Sequence, residues 1–499
     1  AEDGSSWTDA YLNPQDALSN LPVGVDVWIA SGTYTPDEGG GETEGDRAAS
    51  FTVPDGVSLY GGFDGTDGAG GGALETDRSQ RNSDPATNST ILTGDQGTEG
   101  FLGDNAYHVV SIAENASAVL DGFTIRDGLA SDASPNNSGA GIWAKSGSDL
   151  TLRNARLTDN AASGSSGNGG GIYSQGALTV EDAILTGNSA VSSGGGIFGS
   201  GTFTNVTAKN NSAGSSGGGI LGSGTFTDVT VENNSAENRG GGIYLSSGST
   251  FTNVTAKNNS ADSRGGGIYG SGTFTDVTVK NNSSGSSGGG IFGSGTFTDV
   301  TVKNNSVDLR GGGINGSGTF TDVTVENNSA GERGGGIYIR SASNIRSTST
   351  LTRVNIRGNE SGESGRFGSG GGLYSNGDDI DLAEVMFVSN TAEDGNYPGG
   401  GAYIADATLR AVNVQFIGNE ANNGAGLYLT SASGSLTNIA FSGNTASNNG
   451  GGLLLGSNSS PPIVNSVFSA NSASGEGGAI YTSGINNFSR IRNSVLWGN

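Results

Sequence analysis

Fourteen times along this chain a glycine cluster is followed by a hydrophobe, and each hydrophobe is followed by an asparagine. The hydrophobes are Ile142, Ile172, Ile197, Ile220, Ile243, Ile268, Ile291, Ile314, Ile337, Leu373, Ala402, Leu427, Leu453 and Ile480. The asparagines are Asn160, Asn188, Asn211, Asn234, Asn259, Asn282, Asn305, Asn328, Asn359, Asn390, Asn419, Asn444, Asn471 and Asn499, and no copy lacks one. The interval is 23 residues through most of the central array and 25 to 36 elsewhere. Six residues before the asparagine stands Asn or Asp in twelve of the fourteen copies, the exceptions being Arg353 and Glu384. A fixed period of this kind is read before any count of domains.

A period near 23 is too short for paired helices, and a Gly, Ser, Thr and Asn mixture forms helices poorly. Short strands separated by turns fit it. In the copy from Gly288 to Ser306, "GGIFG", "GTFT" and "VTVKN" read as three strands, with Ile291, Phe297, Val300 and Val302 pointing inward and Thr298 and Thr301 outward. Asp299 falls where the alternation breaks, which places it in a tight turn that Asn and Asp tolerate. Each period is then one coil, stacked at about 4.8 Å on the next, with like residues on like. A buried asparagine column is tolerable only if every side chain bonds to the next coil or to turn backbone. The fold class expected is all-β: a single right-handed parallel β-helix with three short strands per coil and an N-terminal cap, the hand following from that of parallel crossovers. Roughly 17 coils give a rod about 80 Å long at the strand spacing. The glycines are expected to allow positive φ and close approach of coils, rather than to form a bare strip for a ligand.

Three regions are expected: a cap over 1–25, irregular first coils over 26–135, and regular repeats over 136–499, about 23 residues each in 194–337 and incomplete at the C-terminus. "PQDALSNL" reads as a short helix turning Ala17, Leu18 and Leu21 onto the first coil, since stacked arrays need terminal caps. Longer intervals at 339–350 and 361–370 read as loops, where solenoids often place recognition.

Charge narrows the partners. With 23 basic against 48 acidic residues the net charge is −25, and only five residues are Lys. Nucleic acid and anionic membranes need a basic surface and are excluded as partners. The acidity and the scarcity of Lys point to a halophilic source, where salt screens self-repulsion. Cysteine is absent, so no disulfide framework exists. No apolar run is long enough to span a bilayer as a helix, and a secreted chain with its signal peptide removed is expected.

"GGAI" at 477–480, with "FVSN" (387–390), "FIGN" (416–419), "FSGN" (441–444) and "FSAN" (468–471), resembles the paired GGA[ILV] and FxxN motifs of the chlamydial polymorphic outer membrane proteins. The opening, with "GSSWTDAY", "VSLYGGF", "YHVV" and "LDGFTI", is similar to that of secreted right-handed β-helix surface proteins. The resemblance implies a β-helical surface adhesin. The central repeats depart from it, with "AKNN", "VENN" or "VKNN" in place of FxxN.

Chemistry is sparse. Glycoside cleavage needs two carboxyl groups flanking the bond. The nearest approaches are Asp378 with Asp379 and Glu360 with Glu363, and the single His108 reads as a structural strand residue. Calcium would want clustered hard oxygens, for which Asp64 and Asp67 in "DGTDG" and Asp378 and Asp379 in "NGDDID" are the candidates. Solvated acidic turns are the simpler reading, so no catalytic residue and no cofactor is expected. Thr296, Thr298, Thr319 and Thr321 belong to a T-x-T column of exposed strand residues. Arg239, Arg264, Arg310 and Arg333 each come with a local acid, Glu237, Asp262, Asp308 and Glu332, and read as surface ion pairs. Sequons at Asn88, Asn205, Asn210 and Asn253 read as chance in so Asn- and Ser-rich a chain. The function expected is a cell-surface stalk, adhesion module or fibre subunit that meets other surface proteins, glycans or copies of itself. A carbohydrate-binding or polysaccharide-cleaving β-helix is the alternative.

Overall fold

The structure, a computed structural model, describes residues 3–21, 24–66, 75–87, 89–340, 346–362, 368–393, 399–487 and 489–499. It divides into two compact units, Ala1–Ser249 and Thr250–Asn499.

The second unit shows the coil most plainly. Ile291–Phe292 pairs in parallel with Ile268–Tyr269 before it and Ile314–Asn315 after it, forming an isoleucine sheet. Gly295–Thr298 and Thr301–Lys303 follow, each pairing in parallel with its copies in the coils on either side. Both belong to one threonine sheet, kinked at Asp299, whose φ of 54° is left-handed. Elsewhere the same two segments are one unbroken strand, as in Thr408–Ile417 and Ser433–Ser442. The third strand lies elsewhere than the sequence suggests. It is the two-residue Ser306–Val307, which pairs with Ser283–Ser284 and Ser329–Ala330 in a serine–alanine sheet. Two residues are too few to show an alternation, which is why this strand escapes a reading by period.

Ile291, Phe297, Val300, Val302 and Val307 are all buried, so one coil puts five apolar side chains inside. Phenylalanines stack from coil to coil with nearly parallel rings, Phe274 on Phe297 at 4.8 Å and Phe297 on Phe320 at 4.7 Å between centroids. Such a buried ring contributes on the order of 2–3 kcal/mol through its area. Between Ile142 and Ala473 thirteen successive coils carry all three strands. The roughly seventeen expected are reached only by adding the less regular turns at 26–34, 51–93, 110–130 and 480–497.

In the first unit the chain opens with a helix at Pro14–Leu18. It is anchored less by leucines than by Gln15, whose Nε2 donates to the carbonyls of Pro36 at 2.8 Å and Ser50 at 3.1 Å. Ala17 is buried, while Leu18 and Leu21 are only half-buried. Asp26–Ala30 pairs with Ser58–Phe63, and from Val110–Ile112 onward the isoleucine sheet runs in register through Ile142, Ile172, Ile197 and Ile220.

The glycine triplets lie at the corner entering the isoleucine sheet and are buried, so they offer no open strip to a ligand. Gly288 has φ 66°, and a Cβ on Gly289 would stand 2.3 Å from the Ser306 carbonyl oxygen and 2.5 Å from that of Gly312. The close approach of serine–alanine strand and corner is what demands glycine there.

Candidate functional site

The asparagine column is continuous within each unit. The Oδ1 of Asn282 accepts from the backbone N–H of Asn259 at 2.9 Å and from its Nδ2 at 3.0 Å. Its own Nδ2 donates to Asn305 Oδ1 at 3.0 Å and to the Ala256 carbonyl at 3.0 Å. The same pattern links Asn305, Asn328, Asn359, Asn390, Asn419, Asn444, Asn471 and Asn499 in the second unit. It links Asn160, Asn188, Asn211 and Asn234 in the first. The buried amides of the ladder spend their side-chain hydrogen bonds on neighbouring coils, so the column holds coils together.

The corner six residues upstream is left-handed in all fourteen copies, including the two that break the Asn/Asp rule: Arg353 at φ 52° and Glu384 at φ 57°. Arg353 instead makes a bidentate pair with Asp322 in the preceding coil, Nε to Oδ1 at 2.6 Å and Nη2 to Oδ2 at 2.8 Å. That pair holds the Asp322 carboxyl below the usual carboxylate range.

The acidic candidates do not converge. Asp378 is buried, and its Oδ1 accepts from the Ser347 backbone N–H at 2.9 Å and its hydroxyl at 2.8 Å. Asp379 stands on a strand of the threonine sheet, accepting from the Thr408 N–H at 2.7 Å and lying 3.4 Å from Arg346. Glu360 is exposed on the serine–alanine sheet. Asp64 donates its N–H to Glu75 Oε1 at 3.0 Å, while Asp67, Glu363 and Asn88 lie outside the described residues. Among the described residues no three His, Cys, Asp or Glu side chains gather closely enough to hold a metal ion.

His108 is buried against Trp143, centroids 4.7 Å apart, with Nδ1 hydrogen-bonded to the Gly139 carbonyl at 3.0 Å. Burial pushes its pKa down to about 4. It is a neutral packing residue at neutral pH.

The outer side of the isoleucine sheet carries an aromatic column that lies outside the acidic and inward-facing positions singled out from the sequence. In the second unit Tyr269 stacks on Phe292 at 5.1 Å, and Tyr338, Tyr374, Tyr403 and Tyr428 follow one another at 5.0 to 5.4 Å. Burial first, then the neighbouring Tyr374 and Tyr428, pushes the Tyr403 hydroxyl above the ordinary phenol range. Arg264, Arg310 and Arg333 lie over the rings of Phe292, Tyr338 and Tyr374, each one coil further on, at 5.2 to 6.0 Å. Arg310 also reaches Glu332 in the next coil at 3.5 Å. The signal was available in the residue that follows each ladder hydrophobe. Because the rings stack on one another, they present edges rather than open faces.

Residues 108–284 match the right handed beta helix region family, and residues 322–340 and 465–483 match the Chlamydia polymorphic membrane protein repeat. The chain folds as a right-handed parallel β-helix, and two short stretches of it are similar to the polymorphic membrane protein repeat. Among solved structures, it is similar to the A-modules of two Azotobacter vinelandii mannuronan C-5 epimerases. For AlgE6 the identity is 13% over 95% of this chain and 91% of that chain, with a TM-score of 0.23. For AlgE4 it is 11% over 94% and 91%, with a TM-score of 0.21. A likeness this slight carries no argument about activity. No curated protein matches the chain.

Proposed function

We propose that this β-helix works at a cell surface as a rigid adhesive scaffold, a stalk, adhesion module or fibre subunit, and not as a catalyst. The observation that carries the reading is the symmetry of the second unit. Coil after coil presents the same residues at the same register, and the buried polar groups of the ladder are consumed internally. A catalytic site needs unlike groups converging at one place. The places where unlike acids occur, Asp378 and Asp379, direct their carboxylates to separate backbone and side-chain partners. Repeats of the polymorphic membrane protein type support placement at a surface or outer membrane. No helix among the described residues is long and apolar enough to cross a membrane, a statement that does not touch β-barrels.

The test is a pair of assays on the purified chain. Beads coated with it should attach to cell or glycan surfaces better than beads coated with the heat-unfolded chain, and incubation with neutral and acidic polysaccharides should release no reducing or unsaturated ends. Product release that disappears in Asp378→Ala or Asp379→Ala would overturn the scaffold reading in favour of a polysaccharide-cleaving β-helix.

A further inference from the structure

Before the regular coils begin, the opening segment with its cap helix, the strand Asp26–Ala30 and the turn at Glu75 line a cavity of about 760 Å³ in the first unit. That volume lies within the range of about 300–1,000 Å³ in which proteins hold small molecules. Four aromatic side chains stand in its wall, Trp7, Tyr11, Trp28 and Tyr34, all half-buried. Phe63, fully buried, sets the two indoles: Trp28 stacks on it at 4.8 Å between centroids, and Trp7 tilts against it at 5.6 Å. Trp7 Nε1 donates to the Glu75 carbonyl at 3.2 Å, and the Tyr34 hydroxyl donates to the Ala30 carbonyl at 3.1 Å. These two polar tips are spent on the backbone, so what they offer a ligand is ring surface.

Charge of one sign accompanies the rings. Asp26 lines the cavity and falls on the same face of its strand as Trp28, two residues on. Glu75 lines it too and is only 8% exposed, its two carboxylate oxygens accepting from the N–H groups of Asp64 at 3.0 Å and Gly65 at 2.9 Å. Among the described residues no Lys, Arg or His belongs to the wall. Arg78 meets Asp26 at 3.4 Å from outside the lining and lies over the Tyr60 ring. The segment that carries Trp7 is itself held in shape, since the N–H groups of Asp3 and Gly4 both donate to the Asp9 carbonyl, at 3.0 and 2.9 Å.

We propose that this cavity binds an organic cation of the quaternary ammonium type, with its alkyl groups on the indoles of Trp7 and Trp28 and its charge answered by Asp26 and Glu75. Aromatic rings attract such a cation through their quadrupole, and the attraction grows as the site sheds water. Carboxylates add charge complementarity, and a wall without a base disfavours an anion. A quaternary ammonium group has no N–H to satisfy, which suits a site whose indole and phenol tips are already engaged. The inference goes beyond the adhesive reading and does not depend on it, since none of the repeated coils takes part.

Two of the four tryptophans, Trp7 and Trp28, line the cavity, so intrinsic fluorescence reports on it. The purified chain is titrated with choline at constant ionic strength, and separately with potassium ion, with the uncharged carbon isostere of choline and with maltotriose. Choline should give a saturable fluorescence change that the other three do not. Tyr11→Leu, which removes one ring, should weaken choline binding about fivefold. Asp26→Asn should weaken it as well, because it removes an acid and leaves Arg78 without that partner. Asp149→Asn, an exposed acid on a later coil, should leave it unchanged. Circular dichroism checks that the variants are folded, and exposed Asp26 carries the test if Tyr11→Leu is not. No saturable response to choline, or an equal response to potassium or to the isostere, overturns the proposal. So does unchanged affinity in Asp26→Asn, or a saturable response to maltotriose alone, which would give the cavity to a neutral sugar.

Discussion

Replacing Asn282 by leucine tests the ladder where it is most regular. The two side chains are similar in size, so the change removes polarity with little change in volume. Four hydrogen bonds end on the Asn282 side chain: two accepted from Asn259 and two donated, to Asn305 and to the Ala256 carbonyl. Leucine leaves the Asn259 N–H, the Asn259 amide and the Ala256 carbonyl without those partners in a position only 1% exposed. Each orphaned buried group costs about 1–3 kcal/mol, and leucine recovers part of this by apolar burial, so a net loss of about 3–5 kcal/mol is expected. A long array of repeats unfolds locally as well as globally, so the readout is native-state hydrogen exchange across residues 256–305 together with urea unfolding. Protection of the Asn259 amide should collapse first. Asn281→Leu, one residue away and exposed at φ 56°, serves as the control and should cost only about 1–2 kcal/mol, from backbone strain. Equal and small effects of the two substitutions would refute the view that the column is a buried, mutually satisfied ladder.

His108 links stability to pH. Its pKa of about 4 in the fold lies below the ordinary 6.5, so the unfolded chain takes up a proton that the folded chain refuses. The contribution is complete above about pH 6.5 and is lost as pH falls toward 4, a difference of about 3 kcal/mol that His108→Gln should abolish in melting curves at pH 7 and pH 4.5. Ala470 occupies a left-handed corner at φ 51°, where Asn, Asp, Ser or Gly stand in other coils, so Ala470→Gly should stabilise by about 1 kcal/mol in chemical unfolding. With a net charge of −25, the melting temperature should rise as salt goes from low to molar concentration, and a flat or falling curve would remove the case for a halophilic source.

What the amino-acid order determined by itself was everything that depends on local chemistry repeated at a period. Inward Ile, Phe and Val follow from alternation along a strand, and the left-handed corners follow from Asn and Asp tolerating that conformation. The column of asparagines follows from stacking like on like, since a residue present in every copy must meet its copies. The cap helix was legible for the same local reason, though its anchoring through Gln15 was not.

The tertiary structure alone decided who stands beside whom between coils. Tyr338 and Tyr374 are 36 residues apart yet stand in register on neighbouring strands. Arg310 lies against Tyr338 and Glu332 of the next coil, and the lysines at 257, 280 and 303 become one column only once three coils are laid on each other. The two-residue serine–alanine strand likewise exists because its copies above and below offer it hydrogen bonds, not because two residues favour a strand. In a solenoid the strand is a local property, but its partners, and hence its surface, are set by the length of the loops between coils.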